Sequence, residues 1–207
     1  MHRPLTIAVP KGRILGPLCT LFERAGLDVA VLRRDDRRLV RENGSQRYLL
    51  LKPDDVPTYV EYGAADLGVV GRDVLFEREY DVHAPVDLGI GRCRMMVAGR
   101  PGTDPRSATR VATKFPHLAL KHFQSRGQPI ETIFVQGSVE LAPLTGLADV
   151  IVDLVESGET LRQNGLVELE HVGDVSTVVI ANRSALKLER ERVRPLLAAL
   201  ERAASKS

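Results

Sequence analysis

The residues best suited to chemistry fall in one stretch, Asp149-Val150-Ile151-Val152-Asp153-Leu154-Val155-Glu156-Ser157-Gly158-Glu159-Thr160-Leu161. Its apolar half reads as a buried strand, which gives way to a polar loop and then to a helix start. Successive N–H groups at a helix start form a concave, partly positive nest suited to a phosphate. Gly158 lets the main chain approach such a group, because no Cβ intervenes. The hydroxyls of Ser157 and Thr160 can each donate one further hydrogen bond. The same residues also read as an ordinary strand–turn–helix with Ser157 as its N-cap. Neither a Walker A pattern nor G-x-G-x-x-G occurs, which disfavours a P-loop nucleotidase and a dinucleotide fold.

A second group of candidates is basic. Lys11 and Arg13 follow the first apolar run, where a ligand-binding cleft would open. Arg33, Arg34, Arg37, Arg38 and Arg41 form the densest positive stretch, interrupted by Asp35 and Asp36. Its plainest reading is a solvated loop or strand edge. The histidines (His2, His83, His117, His122, His171) are scattered, and Cys19 and Cys93 lie among apolar neighbours. No metal-ligand spacing and no Ser–His–Asp or Cys–His arrangement emerges.

The elements that must carry these residues alternate between two periods. Leu5 to Val9 reads as a buried strand closed by Pro10-Lys11-Gly12. Ile14, Leu15, Leu18, Leu21, Phe22 and Ala25 then share one helical face, which Gly26 ends. The arginine-rich stretch reads as a hairpin turning at Asn43-Gly44. Tyr48–Leu51 is a strand, Pro53–Gly63 a helix, Asp66–Gly71 a strand, and Asp73 the cap of a short helix. A long extended region covers Val86–Gly99. A second series follows: strands at Arg110–Thr113, Ile130–Val135, Ala148–Val155, Val167–Val172 and Thr177–Ala181, with helices at Pro116–Arg126, Ser138–Pro143 and Thr160–Asn164. A closing helix carries the stripe Val193, Leu196, Leu197 and Leu200. Strand–helix alternation predicts an α/β fold with mixed, mostly parallel sheets. Two extended crossings predict two lobes, 1–92 plus 176–207 and 93–175, with ligands in the cleft between them at the carboxyl ends of strands.

Composition limits the functions open to such a fold. At 43% hydrophobic and 27% charged residues, the chain is globular rather than disordered. A net charge of +2 with 4% aromatics argues against nucleic-acid binding by charge or base stacking, so any affinity for phosphate must be local. No window reaches the roughly 18 apolar residues of a membrane span. Met1-His2-Arg3-Pro4 opens without a signal peptide, and two unpaired thiols suit a reducing compartment. The expectation is a cytoplasmic protein with no membrane and no nucleic-acid partner.

Several motifs resemble those of the ATP phosphoribosyltransferase family in order and spacing. They are Pro10-Lys11-Gly12-Arg13, Asp54-Asp55-Val56-Pro57, Ala65-Asp66-Leu67-Gly68-Val69-Val70-Gly71, and Gly137-Ser138-Val139-Glu140-Leu141-Ala142-Pro143. Gly146-Leu147-Ala148-Asp149, the strand and loop above, and Asn164-Gly165-Leu166 complete the set. The resemblance covers nearly the whole chain. It implies two periplasmic-binding-protein-like lobes and transfer of a phosphoribosyl group from phosphoribosyl pyrophosphate to N1 of ATP, the first step of histidine biosynthesis. It also implies that Ser157, Gly158, Glu159, Thr160 and Leu161 meet the 5-phosphate, with Asp153 and Glu140 at the ribose or its Mg²⁺. Lys11, Arg13 and Arg37 would be the catalytic cations, and Lys11, Asp66 and Gly71 would line the ATP side. Mg²⁺ would arrive bound to substrate, with no direct protein ligand assigned.

The chain resembles the short form of that family. This implies a homodimer and a hetero-oligomer with a regulatory subunit similar to a histidyl-tRNA synthetase. Two alternatives keep the lobed layout: a non-enzymatic small-molecule binding protein, and a phosphoribosyltransferase for another base.

Overall fold

The computed structural model describes residues 3–205, which leaves His2 outside the described residues. In chain order the elements are β1 (Leu5–Pro10), α1 (Leu15–Arg24), β2 (Val40–Glu42), β3 (Gln46–Leu51), α2 (Val56–Glu61), β4 (Leu67–Gly71), α3 (Arg72–Glu77), β5 (His83–Asp87) and β6 (Cys93–Gly99). They continue as β7 (Arg110–Thr113), α4 (Pro116–Gln124), β8 (Glu131–Phe134), α5 (Leu141–Thr145), β9 (Val150–Val155), α6 (Glu159–Gln163), β10 (Val167–Val175), β11 (Thr177–Ala181), α7 (Arg183–Leu188) and α8 (Arg190–Ala204). The chain forms two compact units. One comprises 1–75, 79–91 and 176–207, and the other 76–78 and 92–175.

The first unit is built on a six-stranded mixed sheet in the order β2-β3-β1-β4-β11-β5. All six residues of β1 are buried, as a central strand covered on both faces requires. One face packs against Leu18, Leu21 and Phe22 of α1 and Val193, Leu197 and Leu200 of α8. The other face carries Ala8, Val70 and Ile180 against Val56 and Val60 of α2 and Val74 of α3. Gly68 is required at that second face, since a Cβ there would lie 2.7 Å from Val60 and 2.8 Å from Val56.

The second unit is a five-stranded mixed sheet in the order β10-β6-β9-β7-β8. Val111, Val150 and Val152 pack with Phe115, Ala119 and Phe123 around α4 on one side. Ala112 and Ile151 pack with Ala142 of α5 and Leu161 of α6 on the other. In both sheets the parallel pairing is confined to three strands, β3-β1-β4 and β8-β7-β9; antiparallel strands lie on both sides of the first trio and on the β9 side of the second.

Three local expectations change. Asp73 lies inside the first turn of α3 rather than capping it. The extended region 86–99 is two strands of different sheets, separated by a turn with Gly89 and Gly91 at positive φ. The closing helix is preceded by α7, whose start is capped by Asn182 accepting from the N–H groups of Ser184 (2.9 Å) and Ala185 (3.2 Å). No described helix is long and apolar enough to cross a membrane.

Candidate functional site

In the second unit, β9 leaves the sheet at Val155 and the chain turns at Glu156-Ser157-Gly158 into α6. Gly158 sits at φ +73°, a left-handed conformation that a residue with Cβ adopts only at a cost. That turn leaves the first amides of α6 without intrahelical acceptors. The N–H of Glu159 donates to Ser157 Oγ (3.3 Å), whereas those of Thr160 and Leu161 have no acceptor among the described residues. The Leu161 side chain is buried in the core, so only its main chain is available to a ligand. Glu159, the acid of the first turn, is turned along the helix: its carboxylate pairs with Arg162 and accepts from Gln163 Nε2 (2.7 Å).

Beneath the turn, a Cβ on Gly158 would stand 3.0 Å from Glu168 Oε1. That carboxylate is held in a two-pronged bond by Arg94, at 2.6 and 2.9 Å. Its charge is therefore compensated, and it does not set a negative field under the exposed amides.

A carboxylate pair stands next to this loop. Asp153 projects from β9, and burial pushes its carboxyl above the usual carboxylate range, with Glu140 adding to the rise. The N–H of Leu154 (2.8 Å) and the charge of Lys114 act in the opposite direction. Glu140 opens α5, and Lys114 follows β7, one position past the Thr113↔Val152 pair. Asp153, Glu140 and Lys114 thus lie within electrostatic reach of one another toward the ends of β7 and β9. The approach to Glu140 passes Ser138, which has φ +49°, a strained conformation for a side-chain-bearing residue.

Among the described residues no three His, Cys, Asp or Glu side chains stand close enough to hold a metal together. Two neighbouring carboxylates, one of them desolvated, still suit a hard cation that brings substrate oxygens with it. Mg²⁺ carried by a substrate fits these residues.

In the first unit, Lys11 and Arg13 are exposed on the turn after β1, and Gly71 ends the neighbouring parallel strand β4. These three share one end of the sheet. Gly71 also has a packing reason, because a Cβ there would overlap the Asp73 carboxylate. Asp66 does not join them. It precedes β4 at the opposite end, about 16 Å away at the rise of a strand. It is 3% exposed, and its oxygens accept from Arg3 (2.5 and 3.2 Å) and from the N–H of Thr6 (2.8 Å). Its carboxylate fastens Arg3 and Thr6 to the sheet, at the end of β4 away from Lys11, Arg13 and Gly71.

Arg37 is exposed on the irregular segment before β2. Among the described residues the guanidinium groups of Arg34, Arg37 and Arg38 have no partner, whereas Arg33 pairs with Glu23 (2.8 Å). The positions of two side chains escaped the sequence reading. Lys114 could have been found from its place after a parallel strand, the end where ligands gather. Arg41, buried beneath the arginine-rich segment, resembles its neighbours in the sequence and carries no local signal.

A family model described as ATP phosphoribosyltransferase matches residues 52–202. A Sorangium cellulosum protein named ATP phosphoribosyltransferase is 59% identical over 205 residues, covering 98% of this chain and 97% of its own. Geobacter sulfurreducens ATP phosphoribosyltransferase 2 is 49% identical, covering 96% and 97%. Among solved structures, the ATP phosphoribosyl transferase (HisG:HisZ) complex from Thermotoga maritima superposes with a TM-score of 0.85 at 34% identity, covering 98% of both chains. The VFT2 domain of Bordetella pertussis BvgS is similar in fold alone, with a TM-score of 0.60 at 13% identity over 97% of this chain and 86% of its own.

Proposed function

We propose that this chain, which belongs to the ATP phosphoribosyltransferase family, transfers the 5-phosphoribosyl group of phosphoribosyl pyrophosphate to N1 of ATP and releases pyrophosphate. This is the first step of L-histidine biosynthesis. The observation that carries the reading is the loop after β9, where glycine geometry leaves the Thr160 and Leu161 amides open to a terminal phosphate. The Ser157 and Thr160 hydroxyls add donors to the same phosphate. Glu140 and Asp153 orient the ribose through its hydroxyls.

As N1 attacks C1 of the ribose, the bond to pyrophosphate breaks and positive charge builds on the sugar, as in glycoside chemistry. The electron pair leaves with pyrophosphate, whose growing negative charge Arg13, Arg37 and Lys11 stabilise. Mg²⁺ on the pyrophosphate supplies further positive charge when bound. Lys11 and Gly71 serve the ATP side. No side-chain nucleophile is needed, because ATP is the nucleophile. Both cysteines are free and buried, which suits a cytoplasmic enzyme.

The Thermotoga maritima relative is described in a HisG:HisZ complex, which supports a hetero-oligomer of this chain with a histidyl-tRNA-synthetase-like regulatory subunit, alongside a homodimer. Light scattering with and without that partner tests the assembly. For the reaction, purified protein should release pyrophosphate only when ATP and phosphoribosyl pyrophosphate are both present. Release with another base in place of ATP would move the chain to a different acceptor, and no release with any acceptor would leave a binding protein.

A further inference from the structure

We propose that Arg41 is a positioning residue: its buried guanidinium shapes the 31–38 segment so that Arg37 is presented, unpaired, to the departing pyrophosphate. This rests on the role given to Arg37 above. Arg41 lies on β2, whose other two residues face outward, and its side chain is 6% exposed. From there it reaches back into the preceding segment. Nη1 donates to the carbonyls of Val31 (2.9 Å), Leu32 (3.0 Å) and Arg34 (2.9 Å). Nη2 donates to the carbonyl of Asp36 (3.0 Å) and to its Oδ1 (3.2 Å), and Nε to the carbonyl of Arg38 (3.3 Å). One planar fork thus saturates its five N–H donors on acceptors spread over eight residues.

Two consequences follow for the arginines on the outside. The segment has no helix or strand of its own between α1 and β2, so no ladder fixes its main chain. The carbonyls converging on Arg41 replace that ladder and set where residue 37 stands. The second consequence is electrostatic. Asp36 is a close carboxylate that could quench Arg37 or Arg38, yet its Oδ1 is occupied by Arg41 and by the N–H of Arg38 (2.9 Å). Arg41 therefore keeps the outer guanidinium groups available to a ligand anion. A buried guanidinium left without these acceptors would be costly, so the segment and the side chain hold one another in place.

A lysine at position 41 keeps the charge but offers three donors from a single atom, too few and too compact to span the same carbonyls. The test is a double-mutant cycle in the intact protein with Arg41→Lys, Arg37→Ala and the pair, reading kcat and KM for each substrate. Hydrogen exchange of residues 31–38 and thermal unfolding are followed alongside. Arg41→Lys should lower kcat by on the order of 10²-fold, as loss of alignment does, with KM for ATP unchanged and faster exchange confined to 31–38. In the Arg37→Ala background the same change should have no further effect on kcat, because Arg41 acts through Arg37.

Losses that multiply would overturn the proposal, since a general structural role would weaken both backgrounds alike. Parental kcat in Arg41→Lys would also overturn it. Parental kcat in Arg37→Ala would instead remove Arg37 from the reaction, and the positioning role would fall with it. Should Arg41→Lys unfold, Asp36→Asn serves in its place: it keeps the carbonyl contacts and should leave kcat within about twofold, because Arg41 already silences that charge. A large loss there would contradict the scheme.

Discussion

The two loops proposed to bind anions are built in opposite ways. The loop after β9 offers main-chain N–H groups, fixed by a glycine turn and a helix start, and its side chains are secondary. The segment before β2 offers guanidinium groups at the ends of long side chains, and its main chain is fixed by another side chain from below. A main-chain site is preorganised and suits a group that stays bound throughout, such as the 5-phosphate. Arginines on a pinned loop suit a group whose charge grows during the reaction.

That contrast predicts different sensitivities. The largest effect belongs to the guanidinium groups: Arg13→Ala, on the turn after β1, should lower kcat by roughly 10²–10³-fold, as loss of one charge-stabilising donor does, with ATP affinity little changed. Steady-state kinetics with folding checked by circular dichroism decides it, and intact turnover would remove Arg13 from the mechanism. The main-chain type should break at its glycine. Gly158→Ala places a Cβ at positive φ, costing roughly 1–2 kcal/mol, and drives it toward Glu168. KM for phosphoribosyl pyrophosphate should rise by on the order of 10²-fold, and an unchanged KM would mean the turn is not a phosphate seat.

Thr160→Ala, which removes one hydroxyl and spares every amide, should raise that KM by only about tenfold, the worth of one charged hydrogen bond. If it equals Gly158→Ala, the distinction between main-chain and side-chain construction fails.

A smaller effect is on stability. The Asp153 carboxyl is raised by burial and by Glu140, so ionising it opposes folding. With the folded value above the unfolded one, its contribution is most favourable at low pH and is lost as pH rises through the folded value. Asp153→Asn should therefore raise the unfolding midpoint of the substrate-free protein at pH 7. The gain should shrink as pH falls through the raised folded value and be gone below roughly 4, the ordinary carboxyl range, while activity drops. Thermal melts across pH measure it, and a gain independent of pH would refute the electrostatic cause. The smallest effect is at Arg33, whose pair with Glu23 is half-exposed: Arg33→Ala should leave both the unfolding midpoint and turnover essentially unchanged, as measured by thermal melts and steady-state kinetics.

The same contrast explains what the sequence disclosed. The geometry of the β9 loop was legible because a strand–turn–helix leaves compositional marks: an apolar strand, a glycine at the turn and hydroxyls at a helix start. Both sheets' central strands were legible as mostly apolar runs, and the Asn43-Gly44 hairpin as its turn residues. Arg41 was not legible, since burial distinguishes it from Arg37 and Arg38 and burial there depends on where the carbonyls of 31–36 point. The surroundings of Asp66 were not legible for the same reason. Its motif was visible, but its partners Arg3 and Thr6 lie some sixty positions away. The break between α7 and α8 escaped because Leu186 and Leu196 both fit an apolar stripe, and only the Asn182 cap marks a separate start.

The most direct measurement is a crystal structure of the protein with phosphoribosyl pyrophosphate. The expected result is the 5-phosphate with its oxygens about 2.7–3.2 Å from the amide nitrogens of Thr160 and Leu161, and Gly158 still at positive φ. A donor bound with its 5-phosphate elsewhere, or a β9 loop whose amides are capped by the protein's own side chains, would contradict the assignment of this loop.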